Sequence, residues 1–264
     1  MRDEIWNTSI TKVEPNKLTL RGYRIDELMG NITFAQAVFL TIKGELPDER
    51  LAKMLDTMLV SSIDHGVTAP SCITARTIAS TGSPLNAALA GGILAISKHH
   101  GGAIEDAMRL FLGAIARKRE AGLTERELAE IIIQESKAAK KRLPGFGHRI
   151  HTSDPRTLRL FQIASDLGIA GEYVAMANAL ADEIENSSGK RLPINVDGAI
   201  AALLCEMDFP PELANAFFIL ARVPGLVSHI HEEKTRMRPM RNIDIKKHIY
   251  DGPEERKAPA VLVR

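Results

Sequence analysis

The sequence predicts an all-α protein with one short β hairpin at its N-terminus. From about residue 30 onward, apolar side chains recur at offsets of three and four, the period of a helix with one buried face. Beyond that point no apolar-polar alternation of the kind a half-buried strand shows competes with them. Bulk agrees: 264 residues, 45% hydrophobic and 25% charged, suffice for one large core with at most a small appended lobe.

The elements follow in order. Ile10, Val13, Leu18 and Leu20, separated by polar residues and by the turn pair Pro15-Asn16, predict the hairpin. Thr33 is placed to cap a helix through Phe34, Val38, Phe39 and Ile42, stopped by Gly44 and followed by Pro47. Between Asp48 and Asp64, a one-sided stripe of Leu51, Met54, Leu55, Met58, Leu59 and Ile63 marks the next helix, its methionines core residues rather than ligands. Further helical windows run over about 71–80, 84–98, 103–118, 124–140, 155–166, 170–186, 197–206, 211–221 and 225–231. The breaks between them are rich in Gly, Pro, His and Arg.

Composition excludes several classes. Lys and Arg number 34 against 33 Asp and Glu, a net charge of +1, too weak a field for nucleic acid to be a partner. Cys72 and Cys205 stand far apart in apolar contexts and read as buried thiols of a reducing cytoplasm. Charged residues through the first thirty positions leave no apolar block for export. The least charged stretch, 79–97, contains Ser, Thr, Asn, Pro and three Gly, and suits a buried helix better than a membrane span.

Five of the eight histidines, His65, His99, His100, His148 and His151, lie in or beside Gly-containing breaks. Any one alone reads as a surface or satisfied core histidine. A neighbouring glycine, however, lets a substrate approach the backbone and leaves the imidazole at a helix end, where its proton can be used. Neither His99-His100 nor His229-x-His231 has the spacing that puts two imidazoles on one helix face, so no metal is expected. There is no Gly-x-Ser-x-Gly elbow, and Gly101-Gly102 and Gly145-x-Gly147 lack the strand-turn-helix setting of a dinucleotide fingerprint. Acid-base chemistry remains.

The breaks resemble the active-site signatures of the citrate synthase superfamily, in the same order. They are Asp64-His65-Gly66, His100-Gly-Gly-Ala103, Pro144-Gly-Phe-Gly-His148-Arg149 with Asp154-Pro155-Arg156, and Asn195-Val-Asp197. Gly22-Tyr-Arg-Ile-Asp-Glu-Leu28 and Gly44-Glu-Leu-Pro47 look like its N-terminal landmarks, and Arg236-x-Arg238-Pro239 with Tyr250-x-Gly252 like its C-terminal one. Only 48–63 separates the Gly-Glu-Leu-Pro landmark from the histidine motif, where full citrate synthases carry a long helical insertion. The shortened form is most similar to the citryl-CoA lyase branch.

The resemblance implies a citrate-synthase-like helical fold, with a large domain of about 33–142 and 207–264 and a small one of about 143–206. It implies cleavage of citryl-CoA to acetyl-CoA and oxaloacetate. His148 would take the hydroxyl proton, His100 hold the enol oxygen, and Asp197 return a proton to the methylene. Arg156, Arg222 and Arg238, with His65, would grip the carboxylates, a task that suits planar guanidinium. Lys141 and Arg142 would neutralise phosphates of CoA, and Gly145, Phe146 and Gly147 hold its adenine end. The CoA thioester would be substrate, with no permanently bound cofactor. The active unit would be a homodimer or higher homo-oligomer with Arg238 reaching the neighbour's site, and a separate citryl-CoA synthetase would supply the substrate. A compact citrate or 2-methylcitrate synthase, a citramalyl-CoA lyase and a non-catalytic interaction subunit stay open.

Overall fold

The computed structural model describes residues 6–147, 152–190, 192–242 and 244–258. The hairpin forms as expected: β1 (Thr11–Glu14) pairs antiparallel with β2 (Lys17–Leu20) around Asn16, whose φ of 58° suits a turn. A third strand, β3 (Tyr23–Arg24), adds to β2 after a second tight turn with Arg21 and Gly22 at positive φ. Arg21 Nη2 and Nε donate to Thr41 O at 2.8 and 3.1 Å, anchoring the small sheet to the first long helix.

A short α1 (Ile25–Leu28) leads to α2 (Phe34–Lys43), where Thr33 and Gln36 form a reciprocal capping box and Gly44, at φ 91°, ends the helix. Asp48 accepts from Leu51 N at 2.8 Å to start α3 (Glu49–Ser61). Then come α4 (Pro70–Ser80), α5 (Leu85–Leu94), α6 (Ala103–Ala121), α7 (Glu125–Ala138), α8 (Pro155–Asp166), α9 (Glu172–Ser188), α10 (Val196–Glu206) and α11 (Ala214–Arg236). Thr124 with Glu127, Asp154 and Asn195 cap α7, α8 and α10 through their side chains.

Two expectations need correction. The helix expected over 84–98 ends at Leu94, because Ser97 and His100 exchange backbone bonds of 2.9 and 2.8 Å in a tight turn. The windows expected at 211–221 and 225–231 are one helix running through Pro224. Proline inside a helix costs about 3 kcal/mol. Both halves of α11 bury large side chains, Phe217 and Phe218 before the proline and Leu226 and Ile230 after it, and that packing outweighs the penalty.

One apolar core joins α2, α3, α6 to α10 and the start of α11, with Met54, Phe111, Leu128 and Leu180 fully enclosed. At its centre lies α10, buried at Val196 and from Gly198 to Cys205. A second cluster joins α4, α5 and the end of α11 through Cys72, Ala75, Ala88, Leu226 and Ile230. By length and composition α11 could cross a membrane. It carries buried Arg222 and Glu233 and packs on α3, α4, α5 and α6 as a core helix.

Candidate active site

Four helices begin at one cavity of about 640 Å³: residues at the N-termini of α4 (Ala69, Pro70), α6 (Gly101, Ala103), α8 (Arg156) and α10 (Asn195, Asp197) line it. Their dipoles favour an anionic occupant. The middle of α11 closes the cavity with Phe218 and Arg222. His65, His100, Arg156, Asp197 and Arg222, separated by tens of residues in the chain, all stand in this wall, as expected, together with Lys98 and His99.

His100 is held by the Ser97–His100 turn, and Gly101, at φ 84°, fits beneath Phe218, where a Cβ would come 2.8 Å from the ring. Its Nε2 lies 2.8 Å from Ser71 Oγ, and its ring meets Phe218 edge to face at 5.6 Å. Burial, then the charge of Arg222, then His65 depress its pKa to about 4, so the imidazole is neutral at pH 7. Asp197 is the second residue of α10. Burial raises its pKa to about 6 against the opposing pull of Arg156 and Arg222. It makes no hydrogen bond to another described residue.

Arg222 is buried, its Nε donating to Ser62 O at 2.9 Å and its guanidinium lying 4.7 Å over Phe218. Its Nη1 is buried with no partner among the described residues, a donor prepared for an anion in the cavity. Arg156 differs: Asp154 grips it bidentately at 3.0 and 2.8 Å, so most of its charge is already balanced.

A second groove of about 590 Å³ adjoins the cavity at Gly147, which lines both. Lys141, Arg142 and Phe146 line it, with Lys137 and Leu143. Gly145 does not line the groove and packs against α10. A Cβ on Gly198 would come 2.4 Å from Gly145 O, so only two glycines permit the loop to lie against α10. Gly145 O accepts from Asn195 N at 3.0 Å, Gly147 N donates to Pro193 O at 2.8 Å, and Asn195 Nδ2 donates to Gly147 O at 2.9 Å. The groove and Asp197 are thereby built on one stitched unit.

Two further residues were expected at the site. His148 lies outside the described residues, directly after Gly147. Arg238 lines a separate groove of about 380 Å³ beside Ser80 and Lys234. Met240 N donates to Ser80 O at 2.8 Å and fixes that segment at the C-terminal end of α4, about 15 Å along the helix from the cavity. Within one chain, Arg238 is therefore not part of the site. Sequence reasoning missed Ser71 and Phe218, which touch His100, and the role of Asp154. A small buried serine and one more core phenylalanine carry no local signal.

The family described as "Citrate synthase, C-terminal domain" matches residues 41–242. A citryl-CoA lyase from Hydrogenobacter thermophilus superimposes with a TM-score of 0.89 at 44% identity, covering 97% of this chain and 98% of that one. "Citrate synthase 2" of Bacillus subtilis is 29% identical over 226 residues, 84% of this chain and 57% of the relative. "ATP-citrate synthase beta chain protein 1" of Arabidopsis thaliana is 29% identical over 237 residues, 83% of this chain and 36% of the relative. The chain thus spans little more than half the length of the synthase it matches. The matched segment contains every described wall of the cavity and both sides of the adjoining groove, and the chain belongs to the citrate synthase family.

Proposed function

We propose that this chain is a carbon-carbon lyase that cleaves citryl-CoA to acetyl-CoA and oxaloacetate. One observation carries the reading: a neutral His100, an Asp197 that holds its proton to about pH 6 and an Arg222 whose Nη1 has no partner among the described residues share one cavity. The likeness to the Hydrogenobacter lyase along its whole length supports it.

The substrate's thioester needs a donor that does not itself ionise, and a ring with a pKa near 4 supplies one. If Ser71 donates to Nε2, the ring proton sits on Nδ1 and can bond the thioester oxygen. His148, next after Gly147, takes the proton of the citryl hydroxyl. The carbon-carbon bond breaks, its electron pair forming the enolate whose oxygen His100 holds. Asp197 then gives its proton to the methylene, leaving acetyl-CoA. Oxaloacetate departs with its carboxylates held by Arg222, Arg156 and His65. In the adjoining groove, Lys137, Lys141 and Arg142 suit the phosphates of CoA, and Leu143 and Phe146 its apolar parts.

The proposal includes a homodimer, a cytoplasmic setting, a thioester substrate supplied by a separate synthetase, and no metal or resident cofactor. Purified chain incubated with citryl-CoA should release acetyl-CoA and oxaloacetate in equal amounts, with or without a chelator. Activity lost to the chelator and restored by a divalent ion would remove the metal-free part of the proposal. Steady release of free CoA from acetyl-CoA and oxaloacetate would assign the chain to synthesis instead.

A further inference from the structure

Beyond Arg222, α11 carries three side chains that this chemistry does not use: His229, Glu232 and Glu233. They belong to one continuous run of polar contacts. Arg241 clamps both oxygens of Glu233 at 2.9 and 2.7 Å, and Glu233 accepts Arg76 Nε at 2.7 Å. Arg76 Nη1 donates to Glu232 at 3.2 Å and reaches His229 Nδ1 at 3.4 Å. His229 Nε2 lies 3.1 Å from Asp64 Oδ1, and Asp64 Oδ2 accepts Gly66 N at 2.9 Å. That last bond closes a turn whose middle residue is His65, in the cavity wall.

Guanidinium can only donate and carboxylate can only accept, so the imidazole between them accepts at Nδ1 and donates at Nε2. The run therefore has one direction and one tautomer. Arg76 and Glu233 are buried, which gives it a rigid end, whereas Asp64 and His65 are exposed. The Arg76–Glu233 pair and the apolar contacts of Cys72, Ala75, Leu226 and Ile230 already tie α4 to α11. The extension through His229 reaches a surface turn that adds nothing to the core. On the other side of that turn is the α11 backbone: a Cβ on Gly225 would come 2.3 Å from Ile63 O and 3.1 Å from Asp64 Cβ.

We propose that His229 is a positioning residue, holding Asp64 so that the turn against Gly225 presents His65 to the substrate's carboxylate. The role of His65 rests on the function proposed above; the placement of its ring does not. Two arms separate these. In the ligand-free chain, the ring C–H resonances of His65, assigned with His65→Gln, should move in His229→Ala and return in His229→Gln, whose amide can accept and donate in the same places. In calorimetry, oxaloacetate affinity should fall roughly tenfold or more in His229→Ala and recover in His229→Gln, with KM for citryl-CoA changing more than kcat. Asp64→Ala, at an exposed position, should reproduce both effects without disturbing Arg76, which covers the case of a poorly folded His229→Ala. A His65 signal unmoved by His229→Ala and Asp64→Ala, or a His229 ring protonated at Nδ1 alone, would overturn the positioning role. An unaltered chain that fails to bind oxaloacetate would overturn the functional reading, and the resonance arm would still decide the inference.

Discussion

Asp197 is held by two opposing influences: burial that disfavours its charge and two arginines that favour it, with burial the stronger. Its pKa is raised from 3.8 to about 6, so the folded state binds this proton more tightly than the unfolded chain does. The group's contribution to stability is thus present below about pH 4 and lost as pH rises through about 6. Asp197→Asn should abolish turnover yet raise stability at pH 8, by roughly 2 to 3 kcal/mol, a gain that vanishes below pH 4; denaturant titration at the two pH values checks it. In wild type, the limb of the pH-rate profile due to Asp197 should fall above about pH 6 for cleavage and rise there for condensation, because in the proposed mechanism the residue is acid in one direction and base in the other. Ser71→Ala should lower kcat by roughly tenfold with little change in oxaloacetate affinity, since in the proposed mechanism this hydroxyl, 2.8 Å from Nε2, sets which nitrogen of His100 carries the proton. Equal kcat in the variant would exclude that role.

At the scale of elements, the close approach of the 145–147 loop to α10 is the most sensitive joint. Gly198→Ala places a methyl against the backbone of Gly145, which no rotamer change can relieve. The expected cost is about 1 to 3 kcal/mol. Because the same loop opens the groove at Gly147, KM for the CoA thioester should rise alongside the fall in Tm. A variant of unchanged Tm and KM would show the contact to be slack. The start of α2 was legible because Thr33 satisfies a free N–H group of its own first turn; the structure shows Asp48, Thr124, Asp154 and Asn195 doing the same for α3, α7, α8 and α10. The continuity of α11 through Pro224 was not legible, since it packs against α3, α4, α5 and α6, distant in the chain.

At the scale of the whole molecule, α5 is apolar but for Asn86 and buried on one side only: Ala88 and Gly92 face the chain, and Ala87, Ala90 and Leu94 face outward. Ile73 on neighbouring α4 is exposed as well. A helix this apolar expects a cover, and the proposed homodimer supplies one through its small outward residues. Ala90→Arg should convert the dimer to monomer in sedimentation and remove activity. The position of Arg238, away from its own chain's cavity, fits a residue that serves a neighbour. Mixed Arg238→Ala and Asp197→Asn proteins should then recover part of the lost activity after subunit exchange. No recovery despite proven exchange would assign Arg238 to another task.

The sequence alone determined the helical class, most helix limits and the Gly-containing breaks, three of them bearing histidines, from which acid-base chemistry was read. Those properties depend on residues within about one helical turn of each other, through caps, periodicity and backbone freedom. What tertiary structure decided acts between distant residues. Ser71 reaches His100 across 29 positions, and Arg222 reaches Ser62 across 160. The neutral state of His100, the raised pKa of Asp197 and the removal of Arg238 from its own cavity follow from burial and charge brought together by packing. No local pattern records those, because desolvation is a property of the surroundings a side chain folds into and not of its neighbours in the chain.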